Sequence, residues 1–419
     1  MAESKEKKKG INPTTLIVVS MVLGAAAGFI VGAPMTQVKF VGDIFFHLIQ
    51  MGIVPFVMCT IIEAVGALDA KALSGYGLKG IAWFAASSLL AAGIGVILAL
   101  VIQPGAGIQA ATAAVDYQAA NVTFQDTISG FFGSNIISSM SNGAMVQCIV
   151  FAIALGLACS AWRQKHNNEC LVYDVCSQLS KLILNVIRAV MRIAPVGIFC
   201  YVAAMIGSLG LAVLIPVAMY LLVMLIGITI MFVIWITLVA VRCKYNPIKL
   251  IKKMWPMSAL ALGTISSAVT LPTALQDTKE KLGCDPEIAD LLLALGMPLN
   301  SNGAAIHLAV TALTIAQIYG ISFGPAELLY VWMVSFLLSL ANAVSPGASL
   351  VSMTMIVPQL GLPMESIAIF AGLEYPTGAL RTILNVDGDV YAALLVSASE
   401  GNLRRDIFND EATYEAPSE

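Results

Sequence analysis

The last apolar segment of the chain carries the side chains whose types and spacing point most clearly to binding chemistry. Arg381, Asn385 and Asp389 follow one another at intervals of four residues, so a helix would place them on one face. Arg381 is also the only Lys or Arg between Lys281 and Arg404. An arginine fork matches a carboxylate in two-point geometry, and amide and carboxylate oxygens suit a hard cation. The pattern therefore predicts a carboxylate bound beside a cation.

Glu374 lies seven residues before Arg381, two helical turns earlier on the same face. It is a candidate partner for the arginine when no carboxylate ligand is bound. A purely structural Arg–Glu pair is the alternative interpretation.

Three apolar stretches are interrupted by residues that break helices. Residues 263–272 are rich in Ser and Thr, and residues 343–349 contain a Pro-Gly pair. Hydroxyls and amides at a helix break can hold a carboxylate, but small residues also allow close helix packing. Residues 297–305 contain two Asn beside a Pro and a Gly. This predicts either an unwound stretch that offers carbonyls to a cation or a structural kink.

The amino-acid composition indicates the environment in which the candidate binding residues lie. Of the 419 residues, 58% are hydrophobic and 11% are charged, whereas a soluble protein has about 25% charged residues. The 22 Lys and Arg against 25 Asp and Glu, a net charge of −3, give no basic field for nucleic acid. So few charges cannot cover a water-facing surface. The sequence therefore predicts a membrane protein, with membrane lipid as a partner, and neither a soluble enzyme nor a nucleic-acid binder. Because it contains no GxxxxGK(S/T) motif, ATP hydrolysis is not predicted either, and we predict that the chain is not an enzyme.

Apolar runs and basic residues together predict the topology. Runs long enough to span a bilayer occur near 13–33, 44–68, 80–103, 145–162, 178–206 and 211–241. Segment 254–281 has basic flanks at both ends and segment 326–360 at neither, so the positive-inside rule predicts two re-entrant hairpins entered from opposite sides. Segments 287–318 and 363–402 then cross. The prediction is an all-α, multi-pass protein of the cell (inner) membrane, with eight transmembrane helices plus two hairpins and both termini in the cytoplasm.

The order of hairpin and helix occurs twice, in opposite orientations. Paired broken segments in inverted repeats are typical of secondary transporters, whose substrate site lies between the repeats. A channel or receptor is the competing interpretation from another class. A pore, however, needs no gate on each side of a single site, so the pattern favours a carrier.

Several motifs resemble those of the dicarboxylate/amino acid:cation symporter family, the glutamate transporter homologues. The most specific is RTILNVDGD at 381–389, and GAGI at 105–108, NSNG at 300–303 and PGA at 346–348 match as well. The resemblance covers nearly the whole chain. It implies an elevator-type homotrimer in which a mobile transport domain, gated by two hairpins, slides along a rigid scaffold.

The resemblance also implies domain boundaries. The scaffold would comprise residues 1–75, with the first two helices, and 145–210, with the fourth and fifth. The transport domain would comprise the third helix within 76–144, which also contains an external loop, and residues 211–402, from the sixth helix through both hairpins to the eighth helix. Residues 403–419 would form a cytoplasmic tail.

Carried over position by position, the resemblance implies a substrate site between the hairpins. Ser266 and Ser267 would touch one substrate carboxylate with help from Asn385, and Arg381 would bind a second carboxylate. The complete implied set is Ser266, Ser267, Ala304, Ser345, Pro346, Gly347, Gly378, Arg381, Thr382 and Asn385.

Sodium sites are implied beside it. One ion would be held by Asn300, Asn385 and Asp389, and a further ion by Ser87, Ser88 and Asn300. The complete implied set of cation ligands is Ser87, Ser88, Gly296, Asn300, Asn302, Asn385 and Asp389.

Departures from the family pattern bear on substrate and ion. Asn302 stands where members commonly have an Asp, which removes a cation-binding charge, although serine/threonine-type members lack that acid and look sodium-coupled. Gly378 stands where amino-acid members hold the ammonium with an Asp, and Ala304 lacks a hydroxyl usual there. The prediction is a symporter for a C4-dicarboxylate with co-transported sodium and no organic cofactor. The alternative is an acidic or neutral amino acid symporter, proton-coupled, with His307 and Glu374 as protonatable groups.

Overall fold

The structure, a computed structural model, describes residues 13–68, 75–106, 125, 129–210, 214–340, 348–371 and 373–414. These residues form α-helices and short 3-10 turns and no strand, so the prediction of an all-α protein is confirmed. The helices are α1 (Pro13–Val31), α2 (Lys39–Gly66), α3 (Gly75–Ile102), α4 (Ile136–Ser141), α5 (Met145–Lys165), α6 (Leu171–Val190), α7 (Ala194–Leu209), α8 (Leu214–Cys243), α9 (Pro247–Thr264), α10 (Ser267–Glu280), α11 (Pro286–Leu299), α12 (Asn302–Ile318), α13 (Pro325–Ser339), α14 (Ala348–Gln359), α15 (Ile367–Ala371), α16 (Glu374–Glu400) and α17 (Arg405–Asn409).

Apolar helices long enough to cross a membrane are present. Among the described residues, five segments qualify by length and composition: Ala33–Gly66, Gly75–Ile102, Met145–Lys165, Leu171–Ser208 and Ile215–Cys243. Helices Val19–Val31 and Pro325–Ser339 are apolar but shorter. The predicted crossing at 287–318 is divided into α11 and α12, and the one at 363–402 carries several charges. These helices agree with the prediction of an integral membrane protein, whereas the count of eight crossings stays a prediction.

The fifth predicted span, 178–206, is wrong as a single helix. The segment begins earlier, with α6 from Leu171, and is interrupted by a 3-10 turn at Met191–Ile193 before α7 starts. Pro195 lies in the first turn of α7, where its fixed φ and missing N–H are well tolerated. Arg188 precedes the turn and Arg192 lies in it, but Leu171–Ser208 as a whole is apolar enough to span a membrane. The mean hydropathy of the segment therefore does not reveal the break.

The first predicted hairpin is formed by α9 and α10, which pack against each other. They meet at Ile265, whose φ of 51° ends α9 in the left-handed region. Ser266 then caps α10, its hydroxyl accepting a hydrogen bond from the amide of Val269 at 3.4 Å. The helix break within the predicted tip is confirmed, although α9 begins at Pro247 rather than near residue 254. The re-entrant placement of this hairpin in the membrane stays a prediction.

The second predicted hairpin corresponds to α13 and α14, which also pack against each other. Helix α13 ends at Ser339 and α14 begins at Ala348. The predicted tip residues Ser345, Pro346 and Gly347 lie outside the described residues.

Helix packing divides into two groups. Helices α1, α2, α5, α6 and α7 pack on one another, and helices α3, α8 to α12 and α16 pack on one another. In the first group, a Cβ on Gly24 would stand 2.7 Å from the carbonyl oxygen of Phe199, and one on Gly28 would stand 2.5 Å from that of Ala203. These two glycines thus allow α1 and α7 to approach closely. The assignment of the two groups to a scaffold and a mobile transport domain stays a prediction.

A half-buried acid links two helices of the first group. Glu63 of α2 accepts hydrogen bonds from Ser177 at 2.8 Å and from Ser180 at 2.7 Å, both on α6. Lys181 lies 3.9 Å from the same carboxylate. Glu63, for which the sequence suggests no role, therefore joins α2 to α6.

The chain after α16 folds back onto the base of the first hairpin. The amide of Arg404 donates to the carbonyl oxygen of Gly283 at 2.8 Å. The ammonium groups of Lys249 and Lys253 lie 2.8 and 2.6 Å from the carboxylate of Asp410, and these contacts lower the pKa of Asp410 to about 2. The base of the hairpin is thus tied to the end of the chain.

Candidate functional site

Arg381 lies in the interior of the helix bundle, with 3% of its surface exposed. Its Nη1 donates a hydrogen bond to Oγ of Ser349, in the first turn of α14, at 2.6 Å. A charged arginine at mid-membrane costs about 2.5–3.5 kcal/mol even on the lenient insertion scale. Burial inside the bundle keeps the guanidinium of Arg381 away from lipid. The side chain of Glu374, its predicted resting partner, lies outside the described part of the structure.

The start of α12 is pressed against α16 at Arg381. A Cβ on Gly303 would stand 2.6 Å from both Cα and the carbonyl oxygen of Arg381, so only glycine fits at this crossing. The amide of Gly303 donates to Oδ1 of Asn385 at 2.8 Å. The side chain of Asn385 thus satisfies one of the amides that a helix start leaves without a partner.

Replacing Gly303 by alanine is expected to destabilise the protein by about 1–3 kcal/mol, the usual range for overpacking, because the clash is with backbone that cannot rotate away. Thermal unfolding in detergent measures the change. Gly263→Ala is the matched control, since a Cβ there meets no atom within 4 Å, and should stay within about 1 kcal/mol of the wild type. Equal melting temperatures for G303A and the wild type would contradict the close crossing.

The predicted interruption of the seventh crossing is confirmed. Helix α11 ends at Leu299, Asn300 is extended, and α12 begins at Asn302. Nδ2 of Asn300 donates to Oδ1 of Asp389 at 2.8 Å, and Oδ1 of Asn300 accepts from Ser87 at 3.4 Å. The break therefore connects α3, the α11–α12 crossing and α16 at one point.

The remaining predicted cation ligands adjoin this point. A Cβ on Gly296 would lie 2.3 Å from Oδ1 of Asp389, so the glycine makes room for the carboxylate. Ser88 donates to Oδ1 of Asn302 at 3.1 Å. The structure thus gathers all seven predicted residues in one buried, contiguous cluster: Ser87, Ser88, Gly296, Asn300, Asn302, Asn385 and Asp389. Hydroxyl and amide oxygens with one carboxylate suit a hard cation. Their role as ligands stays a prediction.

Asn302 is the least suitable member of this cluster. Its Nδ2 is buried without a hydrogen-bond partner among the described residues, and the same is true of Nε1 of Trp235. Both nitrogens border Gly388, where a Cβ would stand 3.1 and 3.7 Å from them. An amide nitrogen cannot ligate a cation, so Asn302 offers only Oδ1, which already accepts from Ser88. This agrees with the weakened cation site predicted from the missing acid.

On the substrate side, the tip of the first hairpin touches α16. A Cβ on Gly378 would stand 2.8 Å from Cγ2 of Ile265, so this glycine is already in contact with the tip. Ser266 and Ser267 adjoin Ile265, at the start of α10. Ser266 and Ser267 are therefore one and two residues after the residue that contacts Gly378. Gly378 itself lies about one helical turn before Arg381.

The other two predicted substrate residues contribute no charge. Thr382 donates its hydroxyl proton to the carbonyl oxygen of Gly378 at 2.8 Å. Ala304 is fully buried and carries only a methyl group. Neither side chain can therefore act as the anionic partner of a substrate ammonium.

Two contacts around this site were not predicted. Asp387, 3% exposed, lies 2.7 and 3.0 Å from the hydroxyl of Ser258 and joins α16 to α9. The sequence carries a signal for it, because an acid inside a crossing helix marks a specific role. Ser349 carries no such signal, since one serine in a stretch of small residues looks like ordinary helix packing.

Comparison with known proteins identifies the family to which the chain belongs. The profile of the sodium:dicarboxylate symporter family matches residues 14–399. The chain belongs to the sodium:dicarboxylate symporter family. The resemblance seen in the motifs is thereby confirmed. Members of this family are transporters, which agrees with the prediction of a transporter rather than an enzyme.

Curated relatives extend over nearly the whole chain. A proton/glutamate-aspartate symporter of Bacillus subtilis (strain 168) is 28% identical over 397 residues, which cover 93% of this chain and 95% of that protein. A proton/glutamate-aspartate symporter of Escherichia coli (strain K12) is 31% identical over 376 residues, 87% of this chain and 85% of that protein. A C4-dicarboxylate transport protein of Geobacter sp. (strain M21) is 27% identical over 403 residues, 92% and 90% respectively. Membership of the sodium:dicarboxylate symporter family therefore decides neither the substrate nor the coupling ion.

Proposed function

We propose that this protein is a secondary active symporter that imports a C4-dicarboxylate together with sodium. The observation that carries the proposal is the buried guanidinium of Arg381, placed where the start of α12, the first turn of α14 and α16 meet. A planar arginine fork in such a place suits a carboxylate held through two hydrogen bonds.

The surroundings of the arginine favour a substrate without an amino group. Gly378 presents a backbone surface already occupied by Ile265, and Ala304 presents a methyl group. An ammonium brought into this site would have to give up its water without an acid to pair with at either position, which is costly. The first substrate carboxylate is assigned to the hairpin tip at Ser266 and Ser267, and the second to Arg381.

Sodium is assigned to the cluster around Asn300 and Asp389, because it combines one buried carboxylate with neutral oxygen ligands. The family resemblance supports three further parts of the proposal. These are a homotrimer, a transport domain gated by the two hairpins, and an elevator motion of that domain along the scaffold. The distribution of Lys and Arg supports cytoplasmic termini in the cell membrane.

An acidic or neutral amino acid symporter coupled to protons is the second candidate. It is favoured by the names of the Bacillus subtilis and Escherichia coli relatives, both proton/glutamate-aspartate symporters. The loss of a cation-binding acid at Asn302 also favours a proton over a second sodium ion.

Uptake into proteoliposomes tests the proposal. Labelled succinate should accumulate above its external concentration when a sodium gradient is imposed, and replacing external sodium by potassium at fixed pH should stop it. Fumarate should compete at concentrations near those of succinate. Aspartate and serine should need at least about tenfold more, which corresponds to 1.4 kcal/mol of discrimination.

Three results would overturn parts of this proposal. Equilibration without accumulation would indicate a channel. Stronger competition by aspartate than by fumarate would establish the amino acid candidate. Accumulation driven by a proton gradient in sodium-free buffer would replace sodium by the proton as the coupling ion.

A further inference from the structure

A chain of polar side chains runs from α8 to Arg381 through a buried histidine. His307 is fully buried on α12, four residues after Gly303 and therefore on the next turn of the same face. Its Nδ1 lies 2.5 Å from the hydroxyl of Tyr220 on α8, and its Nε2 lies 3.4 Å from the carbonyl oxygen of Ser349 on α14. The imidazole thus bridges α8 and α14.

These contacts determine which ring nitrogen carries the proton. A backbone carbonyl only accepts hydrogen bonds, so Nε2 of His307 must be the donor toward Ser349. In a neutral imidazole Nδ1 is then an acceptor, and the hydroxyl of Tyr220 donates to it. Thr311, whose hydroxyl lies 3.4 Å from that of Tyr220, completes the group. Every polar atom of the ring is satisfied without a positive charge.

The charges around the ring favour the neutral form as well. From α16, the charged guanidinium of Arg381 lies on the other side of Ser349, the residue whose carbonyl oxygen His307 contacts. From α8 the ring meets Tyr220, which packs edge to face with Phe370 of α15 at a centroid distance of 4.8 Å. No carboxylate of the described residues is hydrogen-bonded or ion-paired to His307. A protonated ring would place a second buried cation beside the arginine.

The same serine that His307 contacts also holds the arginine. Oγ of Ser349 accepts the hydrogen bond from Nη1 of Arg381 at 2.6 Å. Through its carbonyl group, Ser349 is oriented by His307, and through its hydroxyl it orients the guanidinium. The order of contacts is therefore Tyr220, His307, Ser349, Arg381.

We propose that His307 is a positioning residue for carboxylate recognition. As a neutral imidazole protonated on Nε2, it fixes the first turn of α14 at Ser349 and thereby aims the guanidinium of Arg381, and it does not carry a co-transported proton. This inference rests on the proposed function in one respect, the binding of a substrate carboxylate by Arg381.

Nitrogen NMR of the purified full-length protein tests the tautomer without any substrate. The chain has three histidines, so selective ¹⁵N-histidine labelling and comparison with His307→Gln assign the signals of His307. We expect a neutral ring protonated on Nε2 throughout pH 5.5 to 8. A protonated imidazolium, or a neutral ring with its proton on Nδ1, would overturn the inference whatever the substrate proves to be.

Uptake kinetics test whether His307 affects Arg381 through Ser349. The substrate is whichever dicarboxylate the wild type accumulates, succinate or aspartate. His307→Gln keeps a donor near the position of Nε2 and should leave KM within about threefold, whereas His307→Leu should raise KM by about tenfold, as for one lost buried hydrogen bond. In a Ser349→Ala background the connection to Arg381 is already cut, so adding His307→Leu should change KM by less than about twofold.

Two results would refute this transmission. Additive effects of H307L and S349A would show that the histidine acts by packing alone. Loss of uptake driven by a proton gradient in H307Q would show that the imidazole carries a proton. Wild-type protein that accumulates aspartate but not succinate would overturn the proposed substrate and leave the His307 experiment fully interpretable.

Discussion

Arg381→Ala is expected to abolish saturable dicarboxylate uptake while leaving the protein folded in the membrane. Arg381 is 3% exposed and hydrogen-bonded to Ser349, so a substrate carboxylate bound to it would be removed from water. Truncating one partner of such a buried charge pair costs about 2–5 kcal/mol, or roughly 30- to 5,000-fold in uptake at low substrate concentration. Initial rates of succinate uptake into proteoliposomes measure the loss.

Arg381→Lys separates charge from geometry. The ammonium group keeps the positive charge but cannot offer the planar fork, so we expect KM to rise by about tenfold or more and uptake to persist at high succinate. Melting temperature and the amount of protein in the membrane serve as controls, since the backbone contact with Gly303 is unaffected by the side chain. Unchanged uptake by R381A would show that the arginine is structural and would remove the assignment of the substrate site.

The spacing of residues in the last helix was sufficient to predict part of the geometry of the candidate site. Arg381, Asn385 and Asp389 are buried on one helix, and the Pro and Gly around Asn300 do interrupt the crossing. These predictions succeed because helical periodicity fixes which side chains share a face, and because a charge inside an apolar segment must find a partner. Neither argument depends on the tertiary structure.

Other features depend on contacts between helices that no local pattern encodes. The division of 178–206 into α6 and α7 lies within a segment that is apolar enough overall to span a membrane. The role of Ser349 exists only because α14 lies beside Arg381. His307 shows the same limit: its sequence position allows a protonatable group, whereas Tyr220 and Ser349 define it as a neutral donor. The sequence shows which side chains can bind or donate. The protonation state of His307 and the hydrogen-bond partners of Ser349 follow only from how the helices pack.

Asp389→Asn is expected to remove the sodium dependence of uptake. Asp389 is the only carboxylate among the seven predicted cation ligands, and it is 5% exposed. The other predicted ligands are neutral, and Nδ2 of one of them, Asn302, is buried without a hydrogen-bond partner among the described residues. Removing the single negative charge from a buried ion pair costs about 3–5 kcal/mol, so the sodium concentration for half-maximal uptake should rise by roughly 100-fold or more.

Asp387→Asn is the matched control, because it makes the same substitution on the same helix at a buried acid that faces a different neighbour. Asp387 contacts Ser258 of α9, and an Asn can keep that hydrogen bond. We therefore expect its sodium dependence to stay within about threefold of the wild type, since no ligand charge is lost. Equal losses in both variants would mean that the whole helix face, rather than the cluster at Asp389, responds to charge. An unchanged sodium requirement in D389N would place the cation elsewhere, because the remaining amide and hydroxyl oxygens cannot balance its charge in a buried site.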